Sequence, residues 1–221
     1  MLRNKNLYNS AYGSFVGSNH GYCGFRKKLR IKRFTELIRP TKEDRILEIG
    51  CNGGDLLFHI SHFSDYVYGI DVNREQVSKV NSKRIQCMSA IDLKFGNETF
   101  DKVCSFEVIE HIADITKVFQ EVHRILKPKG KFIISFPVEL IRGQQALFDA
   151  ITVYKNASYA RMLHVQKLTP KKIKTMIKDI PFDVSLSAIH FLPYPTFIMV
   201  MEKGSGVGQQ ANQDPNARMP S

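Results

Sequence analysis

The sequence predicts an α/β fold of the doubly wound kind, a mostly parallel sheet with helices on both faces. Three observations carry that expectation. Short apolar runs alternate with stretches of helical periodicity, as repeated strand-helix-strand units require. One such run, Ile46-Leu47-Glu48-Ile49, leads into Gly50-Cys51-Asn52-Gly53-Gly54-Asp55, a glycine-dense turn that opens a helix at Leu56-Leu57-Phe58. A Cβ there would block both a positive-φ backbone and the close approach of a nucleotide-like ligand. About twenty residues later a second run, Tyr66-Val67-Tyr68-Gly69-Ile70, ends on Asp71, where α/β nucleotide folds place a carboxylate for ribose hydroxyls.

In chain order, residues 1–24 are rich in Gly, Ser, Asn and Tyr and read as an arm. Tyr12, Phe15, His20 and Tyr22 suit a lid over the ligand, and a mobile terminus is the plainer alternative. A helix is expected over 26–39, stopping before Pro40. Strand 45–49, helix 54–61, strand 66–71, helix 74–80, strand 84–88 and strand 101–106 follow. Asp114 caps a helix in which Ile115, Val118, Phe119, Val122, Ile125 and Leu126 recur at three- and four-residue spacing. Pro128-Lys129-Gly130 then turns the chain into strand 131–136. From 137 to 168 the pattern loosens through Phe148, Ile151, Tyr154, Tyr159 and Met162. An insertion at that point overlies the carboxyl ends of the strands, so 137–168 is the expected substrate cap. Thr169-Pro170 reads as cap and first position of a helix through Lys178. Phe182–Ser187 and Thr196–Met201 read as the last two strands, and residues 204–221 as a disordered tail, leaving 25–203 as the main domain.

With 221 residues, 43% hydrophobic and 24% charged, the chain suits one soluble enzyme domain. No run reaches the length of a membrane span and the start lacks the apolar stretch of a signal peptide, so a cytoplasmic location is expected. Cys23, Cys51, Cys87 and Cys104 form no Cys-x-x-Cys pair, and the last three fall in expected core or ligand segments, which favours neither zinc nor disulfides. The net charge of +11 concentrates in Arg26–Arg33 and in Lys167, Lys171, Lys172, Lys174 and Lys178. In the first cluster Ile31, Phe34, Leu37 and Ile38 recur at helical spacing, so the solvated face of a packed helix is the favoured reading. An anionic substrate or peripheral contact with a membrane surface comes second. Nucleic acid comes third, because no RNA-binding module accompanies the charge.

A dinucleotide fingerprint needs glycine at the first, third and sixth loop positions, and Asn52 and Asp55 stand at two of them. Loop and acid instead describe an adenosine site. On these residues the chain resembles the class I S-adenosylmethionine-dependent methyltransferases, in particular the small-molecule enzymes with a Glu/Asp-x-Gly-Cys-Gly-x-Gly loop. The resemblance continues through Gly69-Ile70-Asp71-Val72, Met88–Phe95, Phe100–Ile112 and Leu126–Ile134. Asn52 departs from it, standing where the family usually has its second glycine; Asn is the side chain that best tolerates a left-handed backbone.

The resemblance implies a Rossmann-like, seven-stranded sheet whose last two strands include the single antiparallel one. It implies S-adenosylmethionine as cofactor and S-adenosylhomocysteine as product. Glu48 would lie near the cofactor's amino end, with the backbone of Gly50, Cys51, Asn52 and Gly54 around its aminoacyl and sugar portions. Asp71 would meet the ribose, with Val72 beside it in the cofactor site, Ser89 and Ala90 the adenine, and Phe106 and Glu107 the methyl side; Asp92 reads as structural. Methyl transfer is an in-line displacement on an already activated sulfonium, so no dedicated catalytic residue is required. His111 and His164 are the candidate bases. Glu107, Glu110 and His111 are similar to a pattern with which some catechol-directed enzymes of ubiquinone synthesis, and small-RNA 3′-end methyltransferases, hold a divalent metal. Such ligands at three- and four-residue spacing meet on one helical face. A pocket-lining or structural histidine is favoured over base and metal, and no metal ligand is assigned. The expected function is methylation of a small molecule, at oxygen of a lipid-linked, quinone-like or saccharide acceptor. The alternatives are an RNA methyltransferase and a non-catalytic adenosylmethionine-binding protein.

Overall fold

The computed structural model describes residues 21–80, 82–138, 166–191 and 195–204. Its strands are β1 (Arg45–Ile49), β2 (Tyr66–Asp71), β3 (Ile85–Cys87), β4 (Phe100–Phe106), β5 (Leu126–Pro137), β6 (Phe182–His190) and β7 (Thr196–Lys203). They form one seven-stranded sheet in the order β3-β2-β1-β4-β5-β7-β6. β7 runs antiparallel to both neighbours and every other pairing is parallel. The order reverses between β1 and β4, and in open α/β sheets the ligand crevice lies at that switch point, outside the carboxyl ends of the strands.

β1 explains why the sheet needs two helical layers. Ile46, Leu47, Glu48 and Ile49 are all buried, so both faces of the strand are covered. On one face, α1 (Gly21–Ile38) and α2 (Asp55–Ile60) bring Phe34, Ile38, Leu56, Leu57 and Ile60 against Ile46, Val67 and Ile133. On the other, α4 (Ile115–Ile125) lays Ile115, Val118, Phe119, Val122 and Ile125 onto Phe132, Ile134 and Met199. Asp114 starts that helix by accepting the Lys117 amide at 3.0 Å. Thr169 does the same for α5 (Pro170–Met176) through the Lys172 amide at 3.2 Å, and Ile173 and Ile177 join the same core. α3 (Arg74–Lys79) is short and contributes no buried residue; Asn73 caps it by accepting from the Gln76 amide.

The structure corrects several sequence expectations. α1 begins at Gly21, inside the segment read as an arm. Gly21 and Gly24 suggested a loop, but the cost of glycine in a helix, about 1 kcal/mol each, is carried by an 18-residue helix with one packed face. The ladder to β4 starts at Leu126, opposite Phe100, loops out over residues 127–130 with Lys129 at φ 62°, and resumes at Lys131 opposite Lys102. The expected turn is thus a bulge within one strand. α5 ends at Met176 and not at Lys178, whereas β6 and β7 run on to His190 and Lys203. Gly204, assigned to the tail, donates to the Pro181 carbonyl at 2.8 Å. Cys87, expected in a core or ligand segment, is exposed on the short edge strand β3. Residues 1–20, 205–221, and the cap between 139 and 165 with His164, lie outside the described residues.

Candidate functional site

At the switch point the loop after β1 is held by backbone bonds. Gly50 and Cys51 both donate to the Ile70 carbonyl, at 2.8 and 3.0 Å, and Gly54 donates to Cys51 at 2.7 Å. Gly50 (φ 76°) and Gly54 (φ 79°) are left-handed. A Cβ on Gly50 would be driven into Val108, so this glycine sets how closely the β1 loop and the β4 exit approach. A Cβ on Gly53 would meet nothing within 4 Å, so the loop is open on that side. Asn52 takes φ 46°, the left-handed backbone expected of its glycine substitute.

Asp71 does more than the sequence suggested. Its Oδ2 accepts the Asn52 amide and its Oδ1 the Asn73 amide, both at 2.8 Å, and the Val72 amide also donates to it. The acid therefore organises the loop it faces. Burial raises its pKa, against these three amides, which lower it. A carboxylate has about four acceptor sites, so capacity remains for one further donor. Val72 beside it is half exposed, an apolar side chain standing free at the carboxyl edge. The Met88 amide donates to the Asp71 carbonyl at 3.0 Å, which brings Ser89 and Ala90 next to it. Ser89 is half-buried, while the Ala90 side chain packs into the core, leaving its backbone for the site. Asp92 is exposed and paired with Lys94 at 2.6 Å.

Glu48 is the most unusual charge here. It is 7% exposed, and its Oε2 has no hydrogen-bond partner. Burial pushes its pKa up to about 8; Arg30 opposes that shift, Asp71 and Asp55 add to it, and the Leu57 amide opposes it. Cys51 is buried too, and burial first, then the nearby acids, raises its thiol well above the usual range, which keeps it protonated. Arg30 is the residue that sequence reasoning missed. It was read within a solvated basic face, yet it lies four and eight residues before the buried Phe34 and Ile38, on the apolar stripe of α1. A charge on that stripe was the available signal.

On the β4 side, the Phe106 ring stacks on Phe34 with centroids 3.8 Å apart and planes 3° from parallel. That contact seats α1 over the crevice. Glu107 has φ 59°, its amide donates to the Ser135 carbonyl at 3.0 Å, and its carboxylate accepts from the Ser135 hydroxyl at 3.3 Å. Residues 107–111 are not an α-helix: only Ile109–His111 form a 3₁₀ turn, closed by the His111 amide on the Val108 carbonyl at 3.0 Å. The premise that Glu107, Glu110 and His111 meet on one helical face therefore fails. His111 Nε2 lies 3.8 Å from the buried Glu110 carboxylate, and no group of three or more His, Cys, Asp or Glu side chains is gathered for a metal among the described residues.

The buried free oxygen of Glu48, the open side of Gly53 and the remaining acceptor site of Asp71 fit a ligand with an ammonium at one end and a sugar diol further along. Comparison with known proteins bears on which ligand that is. Residues 47–134 match a family described as "Methyltransferase domain". The ubiquinone biosynthesis O-methyltransferase of Mesorhizobium japonicum is 32% identical over 130 residues, 55% of this chain and 51% of that enzyme. The 24-methylenesterol C-methyltransferase 2 of Oryza sativa is 26% identical over 113 residues, 46% of this chain and 31% of that one. The chain thus spans about half the length of the first relative and a third of the second. Among solved structures, magnesium protoporphyrin IX methyltransferase from Synechocystis, with bound S-adenosylhomocysteine, superposes with a TM-score of 0.65 at 14% identity, over 90% of this chain and 98% of that one. Residues 47–134 are thus similar to a methyltransferase domain, and the sheet order and loop geometry agree with the fold of the class I S-adenosylmethionine-dependent methyltransferases.

Proposed function

We propose that this protein transfers a methyl group from S-adenosylmethionine to a small molecule, at oxygen of a quinone-like or otherwise lipid-linked acceptor. The observation that carries the cofactor half is the buried Glu48 oxygen without a protein partner beside the open glycine loop. An ammonium supplies the donors and the charge that this oxygen lacks. Arg30 acts on the same end, suited to a carboxylate. Asp71 holds the loop and accepts from the sugar, and Val72 offers an apolar surface to a base. When bound, the cofactor supplies a sulfonium methyl poised for displacement. The chain's own part is to align donor and acceptor and to exclude water. Glu107 and His111 border the acceptor side, where a hydroxyl proton leaves as the methyl arrives.

The relatives named for ubiquinone and sterol methylation support an apolar acceptor. The test is incubation of the purified chain with methyl-labelled S-adenosylmethionine and a set of short-chain polyprenyl catechols, with label followed into the organic extract. Label entering the extract with S-adenosylhomocysteine released in equal amount is expected. Binding of cofactor without turnover on any acceptor would favour the non-catalytic reading, and label entering RNA would favour an RNA substrate.

A further inference from the structure

The two edges of the sheet are built differently. β3 closes one edge with only three residues, directly after Lys83-Arg84, and an edge so short and so flanked by charge offers little to pair with. β6 closes the other with nine residues that include no lysine, arginine or proline, and Asp183 is their single acid. Beyond the ladder to β7, residues 183–190 make no backbone hydrogen bond to another described element. None of the nine is buried, so neither helical layer overhangs the strand. Three apolar side chains stand out along it: Leu186 (38% exposed), Ile189 (46%) and, one residue past its end, Phe191 (65%).

The ladder to β7 fixes the face that each β6 side chain takes. Val184, Ser187 and Ile189 lie opposite Met201, Met199 and Phe197, on the face where α4 and α5 pack. Asp183, Leu186, Ala188 and His190 lie opposite Glu202, Val200, Ile198 and Thr196, on the α1 face. Ser185 is the extra residue of a bulge, where the alternation skips. On the α1 face the two ends of the strand differ in charge. Asp183 and Glu202 are cross-strand neighbours at one end, whereas at the other the His190 ring meets the Arg33 guanidinium, which Glu36 also approaches at 3.6 Å.

We propose that β6 pairs antiparallel with β6 of a second copy of this chain, about a two-fold axis through Ser187 and perpendicular to the sheet, joining two sheets into one. Such a partner keeps side chains of the same face together, so the register can be checked residue by residue. About Ser187, Leu186 lies opposite Ala188, Ile189 opposite Val184 with Ser185 as the extra bulge residue, and Asp183 opposite His190; each of these pairs shares a face. Phe191 comes level with Phe182. The exposed apolar side chains thereby gain apolar neighbours, and the acidic end of each strand meets the Arg33–His190 end of the other. A slip of one residue would set Ser187 opposite Leu186 or Ala188, whose side chains take the other face. The complementarity lies within one strand, which is what an isologous contact between copies requires and what an unrelated partner strand would have no reason to match.

The test is sedimentation velocity of the full chain from about 1 to 200 μM, the range suited to a narrow edge contact. A monomer–dimer equilibrium is expected. Ser187→Lys sets like charges opposite each other at the axis and should raise the dimer dissociation constant by roughly tenfold or more, whereas Ser187→Thr should leave it within a few-fold. Unchanged melting temperature and S-adenosylhomocysteine affinity in the lysine variant would exclude misfolding, and they separate failure of pairing from failure of the cofactor assignment. Ser187→Cys reads the register even where the lysine variant is destabilised. Opposed Cα atoms of an antiparallel pair lie about 4.5–5.5 Å apart, within disulfide reach. Mild oxidation should therefore convert Ser187→Cys to a covalent dimer well ahead of Ser185→Cys and of wild type, which keeps the exposed Cys87. A chain that stays monomeric over the whole range, a dimer that survives Ser187→Lys, or cross-linking of Ser185→Cys as fast as Ser187→Cys would overturn the proposal.

Discussion

If Glu48 receives the cofactor's ammonium, cofactor affinity must depend on pH below 8 in a way that follows from its burial. The free protein holds this carboxyl with a pKa of about 8 against an ordinary 4.5, mainly because burial disfavours the charge. That difference corresponds to roughly 5 kcal/mol at about 1.4 kcal/mol per unit, an order of magnitude for the cost of ionising it. At pH 7 only about one molecule in ten carries the carboxylate. Pairing with an ammonium requires the carboxylate, so binding should release close to one proton, and affinity for S-adenosylhomocysteine should rise about 50-fold between pH 6 and pH 8. The assay is titration calorimetry at pH 6, 7 and 8 in two buffers of different ionisation enthalpy, which reports the proton release directly. Glu48→Gln should bind weakly at all three, with no proton release. The sign for folding runs the other way. Between the unfolded value near 4.5 and the folded value near 8 the native state keeps a proton that the unfolded chain has lost, so this group makes stability fall as pH rises through that window. Wild-type affinity that stays constant from pH 6 to 8, with no proton released, would refute the assignment.

Other perturbations probe the loop and the acceptor side. Gly50→Ala forces a Cβ into Val108 at a left-handed backbone and should cost about 2–5 kcal/mol in urea unfolding. Asn52→Gly should stay within about 1 kcal/mol of wild type, whereas Asn52→Val should lose about 1–2 kcal/mol, because only the β-branched side chain resists φ 46°. His111→Ala should keep S-adenosylhomocysteine affinity within a few-fold and lower turnover by less than the roughly 10²–10⁴-fold of a general base; a loss within that range would make His111 the base.

The fold was legible where one local rule decides the structure. β1 and β2 end where the apolar runs end, and the Asp114 and Thr169 caps lie where a short polar side chain precedes helical periodicity. It was not legible where tertiary packing outweighs a local signal. The glycines of Gly21–Gly24 lie in a helix whose later turns pack on the core through Ile31, Phe34, Leu37 and Ile38. Pro128-Lys129-Gly130 has turn chemistry, and only the ladder from Phe100 to Leu126 reveals it as a bulge. In the candidate site, Asp71 was singled out from its place at a strand end and Glu48 from the family resemblance, but the loop-organising role of Asp71 depends on amides 19 residues earlier and two later. Arg30 and Val108 reach the site only through packing of α1 and the β4 exit onto the loop, which no spacing along the chain encodes. The spacing of Glu107, Glu110 and His111 suggested a shared helical face that a three-residue 3₁₀ turn does not provide.

The central claim is that this loop and Asp71 bind an adenosylated amino acid, and its most direct measurement is calorimetric titration of S-adenosylhomocysteine into wild type and Asp71→Ala, with NADH as control. Wild type should bind one equivalent and ignore NADH. Asp71→Ala should bind about 1.5–3 kcal/mol more weakly, since it loses the acceptor for the sugar and the anchor of the Asn52 amide together. No binding by wild type, or equal affinity in the variant, would contradict the account.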